Sequence, residues 1–403
     1  MLVRCGPCLA RARVPTLVPI AGLCTGGRDS GYGEGADRRR RDRGPEPGSC
    51  AALRGGPWQA ELVEREAGPA RLGAGLAVQP NAMRALRGLG VAAAVERAGA
   101  VIHRFQYRDQ DGTLLCDIDL DDMWGPVGPF VGITRAALHH VLLPDPGRCR
   151  TGRSACSVRQ HGGRVSVTFS DATAGVYDLV VGADGINSGV RRSAVSRSRP
   201  AYAGQMVWRS LACTRAGEPG GLQFWLGGDR FFGLCPAGAG ATYGFGNITR
   251  ARLRDPVAGR KRRLAEWFAG FAAPVRDYLA AVESDSAIHC APVEWQPDAA
   301  WGNGRVVLIG DAAHAMSPMM GQGGCMAIED ACVLADELRH GSDIPAALTA
   351  FTQRRQPRVD WVREQSQALG QLLRLPAATR DQALREHGSA AFYDRYRPLA
   401  APP

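Results

Sequence analysis

The sequence predicts an α/β fold in which buried strands enter glycine-rich turns beside a mostly antiparallel β-sheet and C-terminal helices. Two short apolar runs, at 179–181 and 306–309, are each followed within three residues by a glycine and an aspartate. This pattern is typical of open α/β sheets, which bind ligands at the carboxyl ends of their strands. Residues 201–247 instead resemble antiparallel strands, because they are rich in aromatics and broken by glycine turns.

Periodicity and turn residues give the order of the other elements. A short buried strand at 60–63 closes on Glu64, and Asn81 is predicted to cap the helix that follows. Strand pairs are predicted at 101–120, around the turn DQDG, and at 163–182. About sixty C-terminal residues are predicted to be helical, and no internal repeat is found.

The composition is that of a globular protein rather than a disordered one. The 403 residues are 45% apolar and 22% charged, enough for one large or two ordinary domains. Residues 1–58 carry ten arginines against five acidic residues and so supply half of the net charge of +10. One lysine stands against 48 arginines, which indicates a GC-rich coding sequence more simply than a selected basic surface.

The twelve cysteines show no short repeating spacing, and no metal site is predicted. Cys5 and Cys8 form a CxxC pair, but three residues precede it and a proline-broken segment follows, so a redox role is not favoured. No apolar run reaches the roughly 18 residues that a membrane span needs. We therefore expect a soluble, cytoplasmic protein.

The strongest chemical signal is the segment RVVLIGDAAHAMSPMMGQGGCMAIEDA. Asp311 follows a buried strand, Pro318 stiffens the next loop, and glycines at 321, 323 and 324 bare the backbone amides just before a helix. Amides in such a position accept an anion or an electron-rich carbonyl edge. An ordinary strand, loop and helix is the less favoured alternative, because glycines, proline and acid are packed so densely here.

A second strand runs into the turn GADGINSGVR, which holds Asp184 and Gly185. Taken alone, Asp184 is equally well explained as a helix cap. With the first segment, however, this turn resembles the paired DG and GD motifs of class A flavoprotein monooxygenases. These are single-component aromatic hydroxylases typified by para-hydroxybenzoate and salicylate hydroxylases. The resemblance runs from about residue 51 to about residue 360.

The resemblance implies a discontinuous, Rossmann-like FAD-binding domain and a mostly antiparallel substrate domain. The implied organisation is an irregular N-terminal segment at 1–49, an FAD-binding domain at 50–98, 131–198 and 286–345, a substrate domain at 99–130 and 199–285, and a C-terminal helical segment at 346–403.

The resemblance also assigns cofactor-binding residues. Glu64, beside Arg65, would hold the adenosine ribose, and Arg135 would reach the phosphate or ribityl part of FAD. Asp184 and Gly185 would touch the pyrophosphate side and affect NAD(P)H. Without the resemblance, Glu64 is equally well a solvated strand-end charge, and Arg135 is more often a surface helix arginine.

The GD segment would hold the flavin itself. Asp311 would bond the ribityl chain, and Pro318 would line the isoalloxazine. The amides of Gly321, Gly323 and Gly324 would meet its pyrimidine edge. His314 is interpreted as structural.

The middle stretch would supply an apolar pocket for an aromatic or polyketide-like substrate. Phe224, Phe232 and Tyr243 are the weakly predicted pocket residues, since most of an alternating aromatic set is core. The implied reaction uses NADH or NADPH to reduce FAD, and O₂ to form a flavin C4a-hydroperoxide that hydroxylates the substrate. No universal catalytic side chain is implied. The alternatives are a non-hydroxylating flavoenzyme of the same fold and an inactive remnant.

The remnant alternative arises because the N-terminal unit of such a fold is missing. A buried strand and G-x-G-x-x-G turn are expected about 30 residues before Glu64. That place holds GADRRRRDRGPEPG, residues 35–48, with five arginines within six positions. A nucleic-acid-binding role has little support, because no interleaved aromatics or folded basic face accompany this run.

We hypothesise that a shifted reading frame explains the arginine run. Arginine codons of the CGN type and aspartate codons, read one base later over Asp37–Gly44, allow Thr-Val-Val-Val-Gly-Thr-Gly-Ala. That reading is a strand entering a glycine turn. We predict that the frame is shifted up to about residue 48 and regained before Leu53. Sequencing the gene tests this hypothesis, and codons that forbid the valine and glycine choices would refute it.

Overall fold

The computed structural model describes residues 2–5, 58–67, 74–142, 149–340 and 343–403. The arginine run and the hypothesis of a shifted frame lie outside these described residues.

The strands in chain order are β1 (Leu2–Cys5), β2 (Trp58–Val63), β3 (Gly75–Val78), β4 (Ala100–Ile102), β5 (Arg104–Asp109), β6 (Leu114–Asp119), β7 (Phe130–Thr134), β8 (Cys149–Arg150), β9 (Ala155–His161), β10 (Arg164–Phe169), β11 (Ala174–Tyr177), β12 (Leu179–Gly182), β13 (Ala201–Ala212), β14 (Gly221–Leu226), β15 (Arg230–Pro236), β16 (Thr242–Thr249), β17 (His289–Trp295), β18 (Gly302–Asn303) and β19 (Val306–Leu308).

The α-helices in chain order are α1 (Pro80–Gly88), α2 (Ala92–Ala98), α3 (Leu120–Trp124), α4 (Arg135–Leu142), α5 (Gly189–Ala194), α6 (Arg260–Trp267), α7 (Ala273–Ala281), α8 (Asp311–His314), α9 (Gly323–His340), α10 (Ile344–Leu372) and α11 (Ala377–Tyr396).

The two strands that carry the predicted motifs are neighbours in one sheet. Its order is β18-β19-β12-β1-β2-β8, and β12 and β19 run parallel, with Val180 opposite Val306. Both strands are almost completely buried. Because parallel strands end at the same edge of a sheet, the two glycine turns lie side by side, as the sequence predicted. The predicted α/β fold is confirmed.

Strand β1 was not predicted, since residues 1–49 were expected to be irregular. Leu2–Cys5 lies between β2 and β12 and runs antiparallel to both. In a Rossmann unit the strand before the phosphate turn runs parallel to its neighbours. The interior strand β1 of this sheet therefore runs in the direction opposite to that of the first strand of a Rossmann unit.

The second large sheet has the order β17-β13-β16-β15-β14-β5-β6. All its neighbours pair antiparallel except β14 and β5, which confirms the predicted mostly antiparallel character. Helices α6 and α7 cover one face through a buried aromatic cluster that includes Phe232, Phe268 and Tyr278. The other face is left for a small sheet of order β3-β7-β4 and for the glycine-rich segments. The predicted domain bounds stay a prediction.

Two glycines allow the small sheet to approach the large one closely. A Cβ at Gly132 of β7 would lie 1.9 Å from the Pro236 carbonyl oxygen, and a Cβ at Gly75 of β3 would lie 2.6 Å from the Tyr243 Cβ. Any other residue would push the sheets apart. The space between the two sheets is thus set by the absence of side chains.

Asn81 does not cap α1, which corrects the prediction. The helix begins at Pro80 with Gln79 as its N-cap, and Asn81 lies inside it, fully buried. Its amide instead donates to Gln322 and Glu329, at 3.1 and 3.0 Å. The Asn81 side chain therefore binds Gln322, just before α9, and Glu329 on α9, instead of the backbone amides that local capping rules assigned to it.

None of the helices in the described ranges has both the length and the apolar character that a membrane crossing requires.

Candidate functional site

A cavity of about 1290 Å³ opens between the large sheet, the small sheet and the glycine-rich segments. Most of the residues that the sequence analysis selected for the flavin and the substrate meet there. From that set, the cavity is lined by Arg135, Phe224, Tyr243, Asp311, Pro318, Gly321, Gly323 and Gly324.

The turn after β19 presents Asp311 to this cavity. Gly310 adopts φ +58°, and a Cβ there would meet the Ala327 Cβ at 2.9 Å. Both the backbone conformation and the close packing against α9 therefore favour glycine. Asp311 follows as the first residue of α8.

The Asp311 carboxylate faces the cavity, and no described residue forms a hydrogen bond to it. Burial raises its pKa, while the positive charges of His314, Arg135 and Arg209 act in the opposite direction. A half-buried carboxylate with nearby cations but no hydrogen-bond donor has free acceptor capacity. This fits the predicted role toward the hydroxyls of a ribityl chain.

The loop from Pro318 to α9 supplies amides to the same wall. Gly321 adopts φ +65°, and α9 begins at Gly323. The first amides of a helix lack intrahelical acceptors and carry partial positive charge. The residues present therefore fit the ring edge of FAD, with Asp311 and these amides on one wall.

Arg135 is the first residue of α4 and lines the cavity. Its charge acts on both the Asp311 carboxylate and the Tyr243 phenol. Arg135 is therefore close enough to act electrostatically on both the predicted flavin wall and the predicted substrate wall.

The Asp184 carboxylate binds the first amides of α5, which agrees in part with the capping alternative, because the N-cap residue itself is Ser188. The carboxylate accepts from the amides of Gly189 and Val190, at 2.7 and 3.1 Å, and from the Ser188 hydroxyl. Asp184 and Gly185 are not among the described residues that line the cavity, although Asn187 is. Their contact with a pyrophosphate stays a prediction.

Glu64 and Arg65 lie away from this cavity at the end of β2. The Glu64 carboxylate accepts from the Glu66 amide at 2.9 Å, and Arg65 forms an exposed ion pair with Glu66. Their role toward an adenosine ribose also stays a prediction.

One of the three aromatic residues predicted to line the substrate pocket, Phe232, does not line the cavity. Phe224 and Tyr243 line the cavity, but Phe232 packs on the opposite face of the sheet, with its ring centroid 5.0 Å from Phe268. Successive residues of a strand point to opposite faces, so the cavity receives Phe231 instead. Phe245 also lines it, at 5.4 Å from Phe224. Because side chains alternate between the two faces along β15, only one of the neighbouring residues Phe231 and Phe232 could face the cavity.

Arg209 was not singled out from the sequence. It lies on β13, opposite Phe245 on one neighbouring strand and His289 on the other, and all three line the cavity. Burial raises the pKa of the Tyr243 phenol, against the charges of Arg209 and Arg135 and a hydrogen bond from Arg209. The signal that could have revealed it is a lone charge inside the otherwise uncharged strand QMVWRSLA.

A buried ionic cluster holds the turn that carries Asp311. Asp330 on α9 accepts from the Gly310 amide at 2.8 Å and from His314 Nε2 at 2.7 Å. Its other oxygen accepts from Arg355 Nε at 2.8 Å. The side chains of these ionic residues are at most 1% exposed. His314 is therefore structural, as its sequence position suggested.

The same cluster extends to the loop at Pro318. Glu329 accepts from Arg355 and Arg358, both at 2.8 Å, and from Asn81. The chain of side-chain hydrogen bonds continues through Gln322 and Gln79 to the Met320 carbonyl oxygen, which also accepts from Tyr396. One buried network of hydrogen bonds and ion pairs thus holds both the turn that carries Asp311 and the loop at Pro318.

Replacing Arg355 by methionine should destabilise the protein strongly. The change leaves two fully buried carboxylates, Glu329 and Asp330, without their shared cation, which typically costs about 3–5 kcal/mol. Urea unfolding measures the loss. Arg385→Met on the exposed face of α11 is the matched control and should change the unfolding free energy by less than about 0.5 kcal/mol. Equal stability of the two variants would contradict the role given to Arg355.

Stability should also fall at acid pH through Asp330. Burial alone would raise its pKa, but the charges of His314 and Arg355, with hydrogen bonds from His314 and the Gly310 amide, lower it from 3.8 to about 2. The folded pKa is the lower one, so this contribution is present above pH 4 and is lost as the pH falls toward 2. It amounts to about 2 kcal/mol.

Unfolding free energies of the wild type and Asp330→Asn across this range measure the effect. The wild type should lose its advantage over the variant as the pH falls. A constant difference between the two would contradict the lowered pKa.

Comparison with known proteins agrees with this geometry. Residues 58–366 match the family described as FAD binding domain. The chain is 33% identical over 326 residues to the aurachin C monooxygenase/isomerase of Stigmatella aurantiaca, covering 80% of this chain and 85% of that protein. It is 34% identical over 320 residues to the 3-amino-4-hydroxybenzoate 2-monooxygenase PtmB3 of Streptomyces platensis, covering 75% and 80%.

Among solved structures, Klebsiella pneumoniae HpxO complexed with FAD and uric acid superposes with a TM-score of 0.78 at 25% identity. The match covers 85% of this chain and 91% of that one. The paired glycine turns, the FAD-type wall and these relatives lead to one assignment: the chain belongs to the FAD-dependent class A flavin monooxygenases, with FAD as its cofactor.

Proposed function

We propose that the enzyme hydroxylates an aromatic ring that carries an anionic group, using NAD(P)H and O₂. The observation that carries this proposal is the pairing of Arg209 and Tyr243 with a phenylalanine wall in the cavity that also holds Asp311. A cation among aromatic rings binds an anionic ring compound by charge and by stacking. The implied NAD(P)H requirement supports a cytoplasmic location as part of the proposal.

The apolar part of the wall is built from interlocking rings. Phe224 stacks on Phe105 at 5.1 Å and meets Phe245 edge-on at 5.4 Å, and Tyr243 lies 5.2 Å from Phe245. Because these rings support one another, they form a preorganised surface that keeps water away from the reacting ring. Their role is to orient the substrate and exclude solvent.

The polar residues of the cavity divide into two groups. Arg209 would bind the anionic group of the substrate, and its hydrogen bond would orient the Tyr243 phenol. Asp311 and the amides near Gly321 and Gly323 would hold FAD, with Arg135 close enough to act electrostatically on both groups. Bound FAD would supply hydride acceptance from NAD(P)H and activation of O₂.

The names of two relatives support an anionic aromatic substrate. PtmB3 is named for a hydroxybenzoate, and the HpxO structure contains uric acid. Both compounds are rings that lose a proton readily. We propose a substrate of this chemical type for the present cavity.

The test is a screen of hydroxybenzoates, hydroxyquinolones and urate for stimulated NAD(P)H oxidation. The expected result is equal consumption of NAD(P)H and O₂ with formation of a hydroxylated product. Substrate oxidation without oxygen insertion would favour a dehydrogenase of the same fold. A colourless protein that takes up no added FAD would favour an inactive remnant.

Arg209→Gln should raise the KM of the anionic substrate about ten- to a hundredfold, because a hydrogen bond to a charged group is worth about 1.5–3 kcal/mol. Arg209→Lys should lose less, since it keeps the charge. A neutral analogue without the anionic group is the matched control, and its KM should respond little. An equal rise for both compounds would show that Arg209 acts on the shape of the cavity instead.

A further inference from the structure

Four exposed arginines lie where the large cavity opens to solvent. Arg192 is on α5, Arg199 precedes β13, and Arg252 and Arg254 follow β16. All four line the cavity but belong to neither the flavin wall nor the substrate wall described above. We call these four residues the arginine rim.

The fold brings the chain segments that carry Arg199, Arg252 and Arg254 together at one end of β13 and β16. Near the start of β13, Tyr202 is paired with Glu294 of β17, and the Tyr202 hydroxyl donates to the Arg250 carbonyl oxygen at 2.8 Å. The chain that leaves β16 therefore crosses beside the chain that enters β13. Arg252 lies 4.9 Å from the centroid of the Tyr202 ring.

The positive charge of the rim is only partly neutralised. Glu294 pairs with Arg252 at 2.7 Å, and the buried Asp255 pairs with Arg260 and Arg263. Arg199 and Arg254 form no ion pair with any residue in the described ranges. Arg192 donates to the neutral Asn187 carbonyl oxygen and forms no ion pair with a described residue.

The whole cavity shares this excess. Among the described residues that line it, eight are arginines and three, Asp255, Glu294 and Asp311, are acidic. A cleft lined by one sign of charge concentrates ligands of the opposite sign. The cavity also exceeds the roughly 300–1,000 Å³ typical of a site for one small molecule, so it has room for more than one ligand.

We propose that the arginine rim is the docking site for the phosphate groups of NAD(P)H, which holds the dinucleotide while its nicotinamide enters the cavity. This inference rests on the proposed function, in which NAD(P)H must deliver hydride inside the cavity. Guanidinium groups bind phosphates through paired hydrogen bonds, and exposed arginines release such a ligand readily. A dinucleotide that must leave before the ring is oxygenated suits an exposed rim rather than a buried pocket.

Under this proposal, Arg209 binds the anionic group of the aromatic substrate, and the arginine rim binds the phosphate groups of NAD(P)H. Arg209 lies within β13 beside Phe245 and His289, among the residues proposed to bind the aromatic substrate. The rim lies at the entrance, where the polyphosphate part of a larger ligand remains in solvent. NADPH carries one phosphate more than NADH, so loss of rim charge should affect NADPH more.

The test uses the FAD-loaded enzyme with Arg199→Ser, Arg254→Ser and the double variant. Calorimetric titration with NADP⁺, which cannot reduce the flavin, gives Kd without turnover, and steady-state assays give separate KM values for NADPH, NADH and the aromatic substrate. Each single variant should raise the Kd of NADP⁺ about threefold and the double variant about tenfold, as expected for exposed charge contacts. The effect should shrink at high ionic strength.

Arg262→Ser is the matched control, because this exposed arginine on α6 does not line the cavity and pairs with Glu266. It should leave every constant unchanged. An unchanged Kd in the double variant would overturn the proposal, and so would a rise confined to the KM of the aromatic substrate, which would assign the rim to that substrate. If the wild type binds NADP⁺ but forms no hydroxylated product, the proposed function fails while the docking site is still tested by Kd.

Discussion

The buried pairing of Glu329 and Asp330 with Arg355 is the interaction on which the site depends. Two carboxylates and a guanidinium removed from water are tolerable only when each has its partners, because a lone buried charge costs several kcal/mol. Here the partners come from α1, the turn after β19, α9 and α10. These four pieces must therefore come together in one arrangement, and that arrangement presents Asp311 and the amides near Gly321.

Because this network stabilises the two segments, the polar groups of the flavin wall are not required for hydrogen bonds within the protein. Gly310 and Met320, at the bases of the two segments, are already bonded to Asp330 and to Gln79 with Tyr396. The Asp311 carboxylate and the first amides of α9 need not hold the protein together, so they are available to a ligand. Positive charge then dominates the cavity, since eight arginines and three acidic residues are among the described residues that line it.

The interior strand Leu2–Cys5 marks where the chain departs from a simple dinucleotide-binding sheet. Its neighbours β2 and β12 both run against it, although β12 and β19 keep the parallel arrangement that places their turns together. The ring-binding half of the site therefore stands on parallel strands and the buried network. The predicted contacts with the adenosine ribose, at Glu64, and with the pyrophosphate, at Asp184, lie outside the lining of the cavity.

Local sequence determined the features that short-range physics controls. The apolar runs before Gly182 and Gly310 and the glycine-rich turns require no distant partner, so the two motif strands and their turns could be predicted. The motifs were also specific enough to identify the family and FAD. Tertiary structure decided what depends on residues far apart in the chain. The Asn81 amide donates to the buried Glu329 carboxylate of α9, about 250 residues away, instead of capping α1. Helix-capping rules consider only local residues, so they could not predict this partner. Phe231 replaced Phe232, and Arg209 entered the site, because strand register fixes which face a side chain occupies.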